Sequence, residues 1–165
     1  MKKVVVLISL FLFGSTTVFA AAIQGGVSFD VNSARQYVQE GQQDSSDISG
    51  PDFFVNGSNV EKAVYSYNNS GEVIGITVQY INDSQTAYIY GKNHNLIYID
   101  KYDKPVDMYP HRGYRYNLEG QLILTSLTVS KKEMFRFSPD GELIAHSKNG
   151  ITYDEAGKII GKSKP

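Results

Sequence analysis

The sequence predicts an all-β fold: an antiparallel meander of repeated β-hairpins, forming a rolled sheet or a short β-solenoid, with a short N-terminal helix. Three observations lead there. A ten-residue unit recurs five times, its large residues alternate as on a strand, and a polar turn interrupts every copy. The copies are "YSYNNSGEVI" from Tyr65, "YIYGKNHNLI" from Tyr88, "YRYNLEGQLI" from Tyr114, "FRFSPDGELI" from Phe135 and "ITYDEAGKII" from Ile151, at spacings of 23, 26, 21 and 16 residues.

Each unit reads as one hairpin. Residues i and i+2 of a strand share a face, so Tyr65 and Tyr67, or Phe135 and Phe137, point the same way. Asn, Asp or Ser opens the turn by bonding its own backbone, and glycine closes it at positive φ. Gly71, Gly120, Gly141 and Gly157 are these structural turn residues, and His94 takes the place in the second copy. A lone hairpin is marginal in water, so successive hairpins join edge to edge and bury a common face. Eight aromatic residues at the paired positions then form a ladder. It packs as core, or serves as a platform for a sugar ring or a partner where one side is left open. "EVIGITVQYI" extends the pattern, with Ile74, Ile76, Val78 and Tyr80 on an apolar face and Val73, Gly75, Thr77 and Gln79 opposite.

Ahead of the repeats the composition changes. Residues 1–20 carry a basic start, an 11-residue apolar run "VVVLISLFLFG" and "VFA" ending at Ala20, which predicts a signal peptide too short to span a bilayer. Residues 21–52 hold the helix and a polar linker. "SARQYVQEG" offers Ser33 as N-cap, Ala34, Tyr37 and Val38 as an apolar stripe and Gly41 as the stop, and "GQQDSSDISGP" follows as the linker. Residues 53–165 are the hairpin-repeat domain, beginning with an Asn56-Gly57 turn in "FFVNGSNV".

Without residues 1–20, 14 basic residues face 17 acidic ones, a net charge of −3 that argues against nucleic acid. The absence of cysteine excludes disulfides and thiol chemistry. The expected location is the periplasm or the outside of a bacterial cell, with no membrane span.

The units resemble YD repeats, the hairpin repeats of bacterial Rhs and related wall and toxin proteins. "YDEAGKII" at Tyr153 carries the pattern of Tyr-Asp, two variable residues, Gly, a basic residue and an aliphatic. "YNLEGQLI" and "YNNSGEVI" have Asn for Asp, "FSPDGELI" has Phe and Ser, and the basic residue after glycine occurs only as Lys158. MORN-like repeats of exported proteins are similar as well. The resemblance spans about residues 60 to 161 and implies a β-repeat architecture. It carries over no catalytic residue, and five copies are too few to enclose a cargo domain.

Little in the chain predicts catalysis. His94, His111 and His146 lie 17 and 35 residues apart, outside any metal-binding spacing, and read as a turn, a loop and a strand residue. No Gly-x-Ser-x-Gly elbow occurs. Asp100 and Asp103 would make an acid/base pair only if a cleft joined them, and read most simply as solvated loop residues. No metal or cofactor is expected.

The best binding candidate is "DMYPHRGYRY", where Pro110 and Gly113 mark an irregular loop. Tyr109, His111, Arg112, Tyr114, Arg115 and Tyr116 cluster there, suited to an acidic partner or a glycan through stacking and bidentate hydrogen bonds. As a surface contact, Arg112 would be dispensable for stability. The expected function is an exported, non-catalytic module that binds a protein, such as a toxin or enzyme that it neutralises, or a cell-wall glycan. The alternative is a periplasmic hydrolase with a site assembled from scattered polar residues. An open aromatic-rich face would favour the first, and an enclosed pocket with convergent carboxylates the second.

Overall fold

The computed structural model describes residues 22–23, 26–41, 48–68 and 70–162. The expected signal peptide and most of the polar linker lie outside the described residues. Among the described residues, no helix is long and apolar enough to cross a membrane.

Two short strands, β1 (Ala22–Ile23) and β2 (Gly26–Val27), pair with each other ahead of the helix α1 (Val31–Glu40). The rest is one sheet of ten antiparallel strands in sequence order. It runs through β3 (Val60–Tyr67), β4 (Val73–Tyr80), β5 (Thr86–Gly91), β6 (Leu96–Tyr102) and β7 (His111–Tyr116). It continues through β8 (Leu122–Ser130), β9 (Glu133–Phe137), β10 (Leu143–Lys148), β11 (Ile151–Tyr153) and β12 (Ile159–Lys162). The outermost strands, β3 and β12, do not meet, so the sheet is an open meander rather than a barrel.

All five repeat units close with the same turn. The opening residue donates its N–H to the carbonyl four residues on and accepts the N–H three residues on, at 68/71/72, 91/94/95, 117/120/121, 138/141/142 and 154/157/158. The side-chain oxygens of Asn68, Asn117, Ser138 and Asp154 each accept a second bond from the residue four ahead. Gly71, Gly120, Gly141 and Gly157 stand at φ of 76° to 86°, and His94 at 63°. His94 adopts this left-handed geometry while its Nδ1 lies 3.3 Å from the Phe54 carbonyl and its ring packs on that of Phe54.

Beside each turn lies a register shift, and it decides which residues enter the core. Tyr67, Tyr90, Tyr116, Phe137 and Tyr153 stand opposite Val73, Leu96, Leu122, Leu143 and Ile159. The extra residue reverses the alternation expected at the start of β4. Val73 packs against the core, whereas Ile74 is 53% exposed. Ile123 and Ile144 are likewise exposed beside Leu122 and Leu143.

The aromatic ladder lies on a single face and is core for three of its four rungs. Tyr88, Tyr90, Tyr114, Tyr116, Phe135 and Phe137 are buried, but Tyr65 and Tyr67, on edge strand β3, are 39% and 59% exposed. Ala34 and Val38 of α1 belong to one buried cluster with Tyr114, Leu127, Phe135 and Phe137, so the helix covers the β7–β10 half of this face. Phe54 joins Ile76, Val78, Tyr90 and Ile99 in a second cluster on the other half, and Ile48 touches both.

The helix starts earlier than its sequence suggests. Asp30 is the N-cap and accepts the Ser33 N–H at 2.7 Å, while Ser33 at N3 returns a bond to the Asp30 N–H. Ser33 is therefore the reciprocal partner in a capping box rather than the cap itself. Gly41 ends the helix. The expected Asn56-Gly57 turn is displaced: residues 58 and 59 form it, and Val60 N–H bonds to the Gly57 carbonyl.

Candidate functional site

The expected cluster of residues 109 to 116 is divided by strand alternation. Only 103–110 forms a loop. β7 begins at His111, so the even-numbered residues face the helix and the odd-numbered ones face away. Gly113 is not a loop marker but a mid-strand residue, where a Cβ would lie 2.6 Å from Ser126 Oγ and 2.9 Å from the Tyr102 ring. Its missing side chain lets that ring lie across the strand.

On the helix side, Arg112, Tyr114 and Tyr116 serve the core. Arg112 Nε donates to the Tyr37 carbonyl at 2.6 Å, its guanidinium sits 3.8 Å from the centre of the Tyr37 ring, and Nη1 pairs with Asp103 at 3.3 Å. Tyr114 Oη donates to the Val38 carbonyl at 3.0 Å. Two carbonyls in the last turn of α1 thus gain side-chain partners from β7, that of Val38 in addition to the Gly41 N–H at 3.2 Å. Arg112 is a clamp for the helix, a correction to its reading as a dispensable surface contact.

On the other side, the odd-numbered residues His111 and Arg115 enter a hollow of about 300 Å³ in the face away from the helix. Thr77 of β4 and Arg136 of β9 both line it. Five strand spacings of about 4.8 Å would set these residues about 24 Å apart on a flat sheet, so a shared hollow reflects a sheet curled about this face.

Register assembles the site. Asp100 stands opposite Arg115, and Ser126 opposite both Gly113 and Arg136. Arg115 donates from Nε and Nη2 to the two Asp100 oxygens at 2.7 and 2.8 Å, and its guanidinium lies 5.7 Å from the Tyr98 ring centre. The bonds to Asp100 raise the Arg115 pKa against the opposing effect of burial. Burial, and then the Asp100 charge, raises the Tyr102 phenol well above its ordinary value.

Arg136 is the exception. Among the described residues its guanidinium forms no ion pair or side-chain hydrogen bond, and desolvation followed by the Arg115 charge lowers its pKa. His111 is buried, its Nδ1 3.1 Å from the Met108 carbonyl, and burial lowers its pKa. It is a buried strand residue rather than a loop residue. Tyr109 remains in the loop and stacks on the His111 ring with centroids 5.5 Å apart.

The acid/base pair is not assembled. Asp100 is engaged by Arg115 and Asp103 by Arg112, each as an acceptor in a charge-assisted bond. His146 stacks on Phe135 at 4.1 Å and meets Glu133 at 3.0 Å in another part of the sheet. Among the described residues, no three His, Cys, Asp or Glu side chains converge as metal ligands. The hollow can hold an anion beside Arg136. Sequence reading missed Arg136, Asp100 and Tyr102 as members of one site, because only the register across four strands unites them.

No family model, curated protein or solved structure matches the chain.

Proposed function

We propose that the chain is an exported, non-catalytic binding module that recognises a protein or a cell-wall glycan through the hollow on the open face of its sheet. The observation that carries this reading is Arg136, a guanidinium lining a concave polar site without a carboxylate partner among the described residues. Arg136 is exposed on β9, where the Arg115 charge opposes its own and Asp100 offsets this only in part, so a ligand anion in the hollow would meet a net positive charge. The carboxylate in the hollow is already bound at both oxygens by Arg115, which suits a rigid wall better than proton transfer.

The test is a pull-down from periplasm and culture medium with the chain from residue 21 onward as bait, comparing wild type, Arg136→Gln and Gln36→Ala. Gln36 is exposed on α1, away from the hollow. Wild type and Gln36→Ala should retain the same protein or glycan and Arg136→Gln should lose it. Equal retention by all three would refute the assignment of the binding face.

A further inference from the structure

We propose that the hollow is a carboxylate-binding site, in which a single carboxylate of the ligand seats on the fork of Arg136. The inference rests on the binding reading above and names the chemistry of the group that anchors the ligand.

Charge narrows the choice first. Arg115 and Arg136 contribute two positive charges and Asp100 one negative, leaving one positive charge while His111 is neutral. The His111 ring is buried, and that burial favours the neutral state against the opposing effect of its bond to the Met108 carbonyl. A single carboxylate balances the site. A phosphate monoester, at about −1.5 to −2 near pH 7, leaves an excess of negative charge beside Asp100.

Donor geometry narrows it further. The Nε and Nη2 edge of Arg115 is occupied by Asp100, so Arg115 cannot offer that fork to a ligand. Arg136 retains its donors, and a planar guanidinium matches a planar carboxylate through two parallel N–H···O bonds. The hydroxyls of Thr77 and Thr128 also line the hollow and make no hydrogen bond among the described residues. Each is a hydroxyl donor open to a ligand in the hollow.

The rest of the wall suits the carbon that carries the acid. Val106, Leu124 and Met134 line the hollow together with its polar groups. A volume of about 300 Å³ accommodates a carboxylate with its stem or ring. An acidic side chain of a protein and a sugar acid of a glycan share this chemistry.

The two sources can be separated by following the arginine side-chain Nε–Hε resonances of the full chain, purified after export. Four probes are titrated: a capped glutamyl peptide, its glutaminyl analogue, a galacturonic acid trimer and inorganic phosphate. The expected result is a saturable shift of the Arg136 resonance with one or both carboxylates, and none with the glutaminyl analogue. A response to the peptide points to a protein source and a response to the trimer to a glycan. Arg136→Lys should weaken the responding probe about tenfold, the loss of roughly one charge-assisted bond. Thr128→Val should weaken it less, with the unfolding midpoint confirming that both variants fold.

Phosphate binding as tightly as the better carboxylate would overturn the proposal. So would an Arg136 resonance that neither carboxylate moves. Failure here is distinct from failure of the binding reading. Loss of the captured partner in Arg136→Gln, without any carboxylate response, keeps the binding face and discards the carboxylate. A partner retained by Arg136→Gln discards the face itself.

Discussion

At the scale of single residues, Gly71 isolates the requirement of the repeated turn. Its φ is 81°, and a Cβ there would meet nothing within 4 Å, so the cost of a side chain is backbone strain alone. Gly71→Ala should lower stability by about 1 kcal/mol, read as a shift in the urea midpoint. An unchanged midpoint would contradict the turn. Two other residues set the acid sensitivity. Burial depresses the His111 pKa below its ordinary 6.5, so the unfolded chain takes up that proton first and stability falls as pH drops below about 6.5. His111→Gln should flatten this part of the profile. For Glu133, burial alone would raise the pKa, but hydrogen bonds from Lys148 and His146 outweigh it and hold it below 4.5. Its contribution is complete above that value and is lost as pH falls further, so Glu133→Gln should flatten the lower limb. Unfolding midpoints between pH 3 and 8 give both tests, since about one proton per site links slope to stability.

At the scale of elements, the helix depends on β7 as much as on its own sequence. Asp30 and Ser33 satisfy its first turn, while Arg112 and Tyr114 reach its last. Arg112→Ala should cost about 2 kcal/mol, in the range for hydrogen bonds to charged groups, and should speed tryptic cleavage at Arg35. Unchanged stability and unchanged cleavage would return Arg112 to the surface. Its structural role could not be seen in the sequence, because Tyr37 and Arg112 are 75 residues apart and their meeting depends on where α1 docks. The hairpins were legible because turn, alternation and size all recur in each copy. The bulges were not: Ile74 and Val73 are both aliphatic, and only the turn geometry chooses which one enters the core. Ser33 misled for a similar reason, since Asp30 and Ser33 both have cap chemistry and the capping box uses both.

At the scale of the whole molecule, one face of the sheet is committed to stability and the other carries the hollow. Phe135→Ala, in the helix-covered cluster, should cost about 3–5 kcal/mol by leaving a cavity, whereas Arg136→Gln should leave the unfolding midpoint within about 0.5 kcal/mol of wild type. The repeats announced a continuous sheet, and the paired aromatics indicated which residues share its core face. Its curvature left no such mark. The union of Asp100, Arg115, Ser126 and Arg136 follows from register across β6 to β9, a relation that no local pattern records.

The most direct test of the central claim is site-specific photo-crosslinking in the cell that produces the protein, with the reactive residue placed at Thr128 in the hollow or at Gln36 on the exposed side of the helix. Crosslinking of a partner from Thr128 and not from Gln36 is the result expected if the open face binds. Crosslinking from Gln36 and not from Thr128 would contradict the assignment and place recognition on the helix side.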